Sequence, residues 1–488
     1  MARSKLMRAE LMAVCLRVLA VTAATLLAAC GSAPGGAGAL PYRFAAEDPD
    51  GIKSGKFVKH IIVVIQENRT FDDFFATFPG ANGARFGCMK PPAGALRPRH
   101  DLRGSGTCPS GDRNVPLRKA DLVAKCDWGH AHVSALNDYD GGRMDGFGLE
   151  GGSKKCPGKV GTAVYQYVDP HQIAPYWTMA RRYVLGDAMF QTQSSGSFTA
   201  HQDLIAGGTI FNQERTKSLV DFPSNVPWGC DAPPGTKSSM LFWTGGKLED
   251  EFHEGPFPCM SYATLRDLLD AKSVSWKYYS PPIDNVGKLW NAFEAIKAVR
   301  DGPEWTTNIK EPNAFFNDVK TNQLPAVSWI VPDNINSDHP TAHDTGPSWV
   351  ASIVNEIGES PYWDTTAIVV VWDDWGGFYD HVKPPFFDHW GGLGFRVPLL
   401  VISPYAREAH PGTAGYISHT QYEFGSILKF IEITKQLGSL HTTDERARSI
   451  VDCFDFTQAP RPFKVIKAPY SLDYLLRQPY SYRPVDSE

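Results

Sequence analysis

The chain has 488 residues, 42% of them hydrophobic and 21% charged, with a formal net charge of −5. That mass suffices for one large α/β domain, although length alone would allow two or three. The acidic balance leaves no electrostatic footprint for nucleic acid, while lipid or phosphorylated substrates stay open because a local site can be positive on an acidic protein.

The first residues read as a targeting segment. Arg3, Lys5 and Arg8 precede a mostly apolar stretch that ends in Leu27-Ala28-Ala29-Cys30. A small-residue cleavage site followed by cysteine implies a lipoprotein signal, residues 1–29, with Cys30 as the lipidated first residue. An ordinary secretory signal cut near Ala29 is the alternative. A retained membrane span is disfavoured, because Arg17 interrupts the stretch and leaves it short. The chain is therefore expected to be exported, as a membrane-anchored lipoprotein of the cell envelope or as a secreted or periplasmic protein. Removing the signal leaves a net charge of about −8. Residues 30–45, rich in Gly, Ala, Pro and Ser, read as a flexible tether. Residues 46–488 are expected to form one domain with a C-terminal tail from about Phe454, because the candidate site draws on residues from Glu67 to Asp374.

Buried strands are expected at 60–66, 326–331, 366–372 and 397–402, each short and rich in Val and Ile. Weaker strand signals lie at 183–185 and 275–279. Helical patterning is best at 200–206, 265–271, 289–299, 348–357 and 421–436. This alternation implies an α/β fold with a mainly parallel sheet covered on both faces. The stretches 79–116, 212–258 and 280–287 are rich in turn formers and read as insertions. Seven cysteines remain after Cys15 and Cys30 are set aside. Outside the cytoplasm they favour disulfides with one left over, pairing among Cys88, Cys108, Cys126 and Cys156 and between Cys230 and Cys259. No Cys-x-x-Cys points to a zinc cage.

Chemistry concentrates in four strings. Glu67-Asn68-Arg69 and Asp373-Asp374 each follow a predicted strand directly, and the carboxyl ends of strands are where open α/β sheets collect ligands. Glu67, Asn68, Asp373 and Asp374 form a hard oxygen set that suits one divalent ion: Mg, Ca or Mn, with Zn possible. Taken singly, the first string could be a capping box and the second a turn. Gly376 and Gly377 allow a sharp turn that aims both aspartates at one centre. Ser197, in the string 194–201, is the candidate nucleophile. It lies just before a predicted helix, where backbone N–H groups favour a phosphoryl group. Ser197 could equally be a helix N-cap, and the string alone does not separate it from Ser194, Ser195 or Thr199. His130, His201, His339 (in Ser337-Asp338-His339-Pro340) and His381 are the candidates for acid–base work, with His132 and His343 less well placed. Phosphate-loop, dinucleotide and His-Glu-x-x-His motifs are absent, as is a Gly-x-Ser-x-Gly elbow around Ser197.

At these residues the chain resembles the bacterial phosphoesterase family that includes acid phosphatases and the non-haemolytic type of phospholipase C. The strings that carry the likeness are HIIVVIQENRTFDDFFATFPG (60–80), GGRMDGF (141–147), PYWTMARRYVLGDAMFQ (175–191), GSFTAHQ (196–202), SDHP (337–340), WDDWGGFYDHVKPP (372–385) and GFRVPLLVISPYAR (394–407). The resemblance implies an α/β/α sandwich like that of alkaline phosphatases, here with disulfide-stapled insertions. It also implies Glu67, Asn68, Asp373 and Asp374 as metal ligands, Ser197 as nucleophile, and His130 and His339 on the phosphoryl group. Gly-Ser-Phe and His-Gln, in place of the Gly-Pro-Thr and Asn-Arg usual in the phospholipase branch, look like the phosphatase branch. Thr70, Asp73, Phe74 and the Gly-Asp-Ala at 186–188 depart from common family residues, without touching an implied ligand. The expected activity is metal-dependent phosphoester hydrolysis through a phosphoserine, of a small molecule or a lipid headgroup. A phospholipase C is the alternative, and a surface lipoprotein that binds without catalysis is a further one.

Overall fold

The computed structural model describes residues 54–91, 108–109, 111–151, 158, 160–284, 287–385, 392–410, 412 and 415–481. The segments expected as signal peptide and tether, with Cys30, lie outside them. Among the described residues no helix is long and apolar enough to cross a membrane.

Eight strands make the central sheet: β1 (His60–Gln66), β2 (Val184–Phe190), β3 (Trp276–Tyr279), β4 (Ile309–Lys310), β5 (Val327–Ile330), β6 (Thr366–Trp372), β7 (Arg396–Ile402) and β8 (Tyr416–Ser418), in the order β4-β3-β5-β1-β6-β7-β2-β8. β1 pairs in parallel with β5 and β6, so that Gln66 lies beside Trp372. Every residue of Ile61–Ile65 and of β6 is buried. Successive side chains point to opposite faces of a strand, so both faces of the sheet are covered. β7 alone is antiparallel to both its neighbours. Its first residue, Arg396, therefore sits at the end of the sheet where β2 and β6 finish, opposite Phe190. Continuous Val/Leu/Ile content gives a buried strand no direction, which is why the sequence pattern left this reversal unread.

The helices that frame the sheet and the site include α1 (Phe71–Phe75), α2 (His132–Tyr139), α3 (Ala174–Arg182), α4 (Ser197–Ala206), α5 (Leu265–Ala271), α6 (Pro312–Lys320), α7 (Gly346–Gly358) and α8 (Phe424–Lys435). α4 packs with α5 and α8, and α7 with α3 and α6, which gives two helix groups. α4 starts at Ser197, three residues earlier than the sequence pattern suggested, with Gly196 as its N-cap. The helix expected at 289–299 is broken. Asn291 leaves helical geometry and its side chain caps Phe293 N–H, so a 3-10 turn at Ala292–Ala295 separates two short helical pieces. α3 and α6 went unpredicted, although each carries proline in its first turn, where the missing N–H costs nothing. The insertion at 212–258 holds a three-stranded antiparallel sheet, Lys217–Val220, Ser239–Thr244 and Lys247–Glu251. Disulfides join Cys88 to Cys108 and Cys230 to Cys259, and Cys453 is a buried free thiol. Cys126 is also disulfide-bonded.

Candidate active site

The end of the sheet at Gln66 and Trp372 gathers the site. β1 and β6 run side by side, and Asp373 N–H continues their ladder by donating to Gln66 O at 2.9 Å. Glu67, Asn68, Asp373 and Asp374 thus leave the two central strands at the same level, and all four are fully buried. Asn68 adopts φ 54°, and its N–H donates to Asp373 Oδ1 at 3.0 Å. Gly376 (φ 60°) and Gly377 (φ 72°) then turn the chain back. A Cβ on Gly376 would lie 2.4 Å from Asn68 O, so glycine is required where the two loops touch.

α4 brings the hydroxyl. Ser197 Oγ donates towards Asp374 Oδ2 at 3.1 Å and Glu67 Oε2 at 3.4 Å. The helix's first intrahelical bond runs from Ala200 N–H to Gly196 O. The N–H groups of 197–199 therefore precede the helical ladder and offer positive dipole ends beside the hydroxyl. One turn on, His201 Nε2 sits 2.9 Å from Glu67 Oε1 and 3.7 Å from Asp373 Oδ2. Ser197 and His201 are four residues apart on one helix, hence on one face. That spacing was readable, but only for a helix started at 197.

Two more histidines come from loops. His130 Nε2 lies 3.0 Å from Asn68 Nδ2, which also donates to Asp374 Oδ2 at 3.2 Å. With the amide so placed Nε2 is the acceptor, and the other ring nitrogen donates to Trp128 O at 2.7 Å. The His339 ring lies 6.3 Å from that of His130 and stacks near Trp290. Its Nε2 is 3.8 Å from Asp127. Asp338 anchors this loop: its carboxylate accepts from Tyr176 at 2.6 Å and from Trp372 Nε1 at 3.1 Å. Burial pushes the Asp338 carboxyl up to about 7, against the lowering effect of the Tyr176 bond and of nearby Arg69.

His381 goes elsewhere. Its Nδ1 is 2.7 Å from Asp72 Oδ2, and its Nε2 is 3.2 Å from Asn82 Oδ1. It joins a second buried group, in which Arg396 donates to both Asp380 and Asp72 at 3.1–3.2 Å. His381, a sequence candidate for acid–base work, is therefore not brought to the aspartates: past the double-glycine turn, Asp380 and His381 meet Asp72 of α1. Conversely, Asp127, Trp128 and His132 stand beside the site, though the sequence gave them no role or a lesser one. His132 Nδ1 contacts Ser194 O at 2.6 Å, and its backbone N–H donates to Asp221.

Glu67, His201 and Asp373 have the spacing of a metal-binding group, their ligand atoms all lying within 4.8 Å of one another. Asn68 Oδ1 and Asp373 Oδ2 accept no hydrogen bond although both are buried. Buried carboxylates at this separation call for a cation, and orphaned oxygens supply further ligands, so the donor set fits a divalent ion. A nitrogen ligand was absent from the oxygen-only set the sequence implied. Asp72, Asp380 and His381 have similar spacing, but there the Arg396 guanidinium already provides the positive charge.

The sequence pattern of the Phosphoesterase family matches residues 58–437. Phospholipase C B of Mycobacterium tuberculosis is 26% identical over 456 residues, covering 83% of this chain and 79% of that protein. The non-hemolytic phospholipase C of Pseudomonas aeruginosa is 24% identical, covering 83% of this chain and 57% of that protein. Among solved structures, a protein in the alkaline phosphatase superfamily from Vibrio parahaemolyticus superposes with a TM-score of 0.32 at 10% identity, covering 57% of this chain and 63% of the other. The breadth of the family match leaves one assignment: the chain belongs to the phosphoesterase family and is a hydrolase acting on phosphoric ester bonds.

Proposed function

We propose that the chain is a phosphomonoesterase of the acid phosphatase kind that works through a phosphoserine at Ser197. The observation that carries this reading is the Ser197 hydroxyl, held 3.1 Å from Asp374 at the N-terminus of α4. Ser197 Oγ attacks phosphorus as its proton passes to the Asp374 carboxylate. The N–H groups at the start of α4 face the oxygens that gain charge. The bond from phosphorus to the ester oxygen breaks, and that oxygen leaves with a proton from His339. Water then attacks the phosphoserine and gives its proton to the same imidazole, and the phosphorus–Oγ bond breaks as Asp374 returns its proton to Ser197, freeing phosphate. A divalent cation held by Glu67, Asp373 and His201, with Asn68 and Asp374 beside them, would supply positive charge against the transferring oxygens and favour ionised Ser197. Its identity among Mg, Ca, Mn and Zn is open. A histidine ligand favours the softer end of that series.

A second reading is phospholipase C, favoured by the names of the relatives at 24–26% identity. We also infer an exported protein, one domain from residue 46 onward, held to a membrane through Cys30. The disulfides at Cys88–Cys108 and Cys230–Cys259 support an oxidising compartment.

The test is a Ser197→Ala protein assayed on an aryl phosphate and on phosphatidylcholine, with the parent quenched in acid to trap labelled phosphoserine. Expected are a rate loss of at least about 10³-fold, label on the parent only, and faster turnover of the aryl phosphate. Parental turnover by the variant would eliminate the mechanism, and preference for the lipid would install the second reading.

A further inference from the structure

Beyond the carboxylates lies a cavity of about 290 Å³ that the reaction above does not use. It begins at the catalytic strings themselves. His132, two residues after His130, and Ser194, three before Ser197, both line it, and their 2.6 Å contact ties the two strings together at its margin. Asp221 braces that junction by accepting from His132 N–H and donating its own N–H to Ser195 Oγ at 2.7 Å. Apart from Gln193 and two acids, the remaining walls are mostly apolar. Leu136 and Tyr139 come from α2, Leu241 and Leu248 from two strands of the insertion sheet, and Leu393 and Phe395 from the approach to β7. Leu136 lines the cavity while 52% exposed, a large apolar side chain left open to solvent. The polar groups from the insertion sheet are acidic, Glu249 and Asp250, and both are exposed.

We propose that this cavity receives the neutral, apolar organic group of the substrate, an aryl ring or a short alkyl chain, while phosphorus sits at Ser197. The proposal rests on the phosphoester reading and narrows it to a substrate class. Leucine walls favour hydrocarbon, because apolar surface gains by leaving water. The acidic pair at the rim, added to the site carboxylates, repels an organic group that carries its own phosphate or carboxylate. The volume lies at the small end of the range of roughly 300–1,000 Å³ for ligand pockets. It takes one ring or a short chain rather than two full acyl tails. Sugar and nucleoside phosphates, whose hydroxyls would lose water against leucine, are disfavoured.

The experiment measures kcat/KM of the metal-loaded full-length protein for phenyl phosphate, hexyl phosphate, glycerol phosphate, phosphocholine and phosphatidylcholine. It also measures binding of 1-naphthol by fluorescence. Expected is a preference of about tenfold or more for the phenyl and hexyl esters over glycerol phosphate. Leu136→Asp and Leu248→Asp should cut that ratio about tenfold through KM and weaken naphthol binding to match. Val133→Ser, on the same helix but outside the cavity, should leave ratio and binding alone. Equal loss on all esters in the leucine variants, or a parental preference for glycerol phosphate, phosphocholine or the diacyl lipid, would overturn the proposal while leaving phosphoester hydrolysis standing. Absence of turnover on every ester would overturn both readings together.

Discussion

Two buried groups of acids and histidine lie on the same pair of loops, a few residues apart, and they solve the problem of burying negative charge differently. In the outer group Asp72 and Asp380 share the guanidinium of Arg396, with His381 closing the ring. Backbone N–H groups of Ala84 and Val382 take up further oxygens. In the inner group the partners of Glu67, Asp373 and Asp374 include a histidine, an asparagine amide and a hydroxyl, and one oxygen of Asp373 accepts no hydrogen bond. Charge compensated within the fold stabilises it. Compensation left to an ion makes a site.

The largest effects should separate the groups by readout. Asp373→Asn is expected to lower phosphoester turnover by at least about 10³-fold, roughly 4 kcal/mol of barrier, and to lower metal content in elemental analysis. The same variant, stripped of metal, should unfold at the same or higher denaturant concentration than the stripped parent, because one of several crowded carboxylates is gone. Clear destabilisation of that stripped variant would show that the inner group, like the outer, is structural. Arg396→Met should do the reverse. It strands Asp72 and Asp380 without their cation and should cost about 3 kcal/mol or more in denaturant unfolding. Unchanged stability would break the comparison from the other side.

How far the two groups could be read from sequence differs for the same reason. Glu67 and Asp373 were legible because each follows an unbroken Val/Ile strand, and parallel neighbours place their ends together. His201 was legible as a candidate but not as a neighbour of Glu67, since that depends on where α4 begins and how it crosses the strand ends. The outer group was illegible. Asp72 reads as an ordinary acid in a first helical turn, and Arg396 as a polar edge to a hydrophobic run. What joins them is the direction of β7, which no alternation pattern records. The partition of cysteines fared better, because Cys230 and Cys259 had few rivals outside the first cluster and Cys453 stands apart in sequence.

Smaller effects follow from protons. Burial alone would lower the His381 pKa, but its bond to Asp72 and the charges of Asp72 and Asp380 outweigh this and raise it above the usual 6.5. Burial would raise Asp72, yet His381 and Arg396 hold it below 3.8. The stabilisation from His381 is therefore complete below pH 6.5 and is lost as pH climbs through its folded value. That from Asp72 is complete above pH 3.8 and is lost as pH drops through its folded value. His381→Gln should flatten the alkaline limb of a stability–pH profile. An unaltered limb would place the titrating group elsewhere. The smallest effect concerns Thr70, between the two groups. It caps α1 by accepting from Asp73 N–H and donates to Tyr379 O, so Thr70→Ala should cost about 1 kcal/mol by thermal unfolding.

The lone reversed strand has one more consequence. A parallel neighbour of β6 would force the chain to travel down the molecule and back before re-entering the sheet. Because β7 points the other way, the polypeptide departs at Trp372 and returns at Arg396 on the same rim. Both the start of the excursion, Asp373 and Asp374, and the turn at Asp380 and His381 that meets Arg396 therefore lie at that rim, so the site and its structural brace share one edge of the sheet.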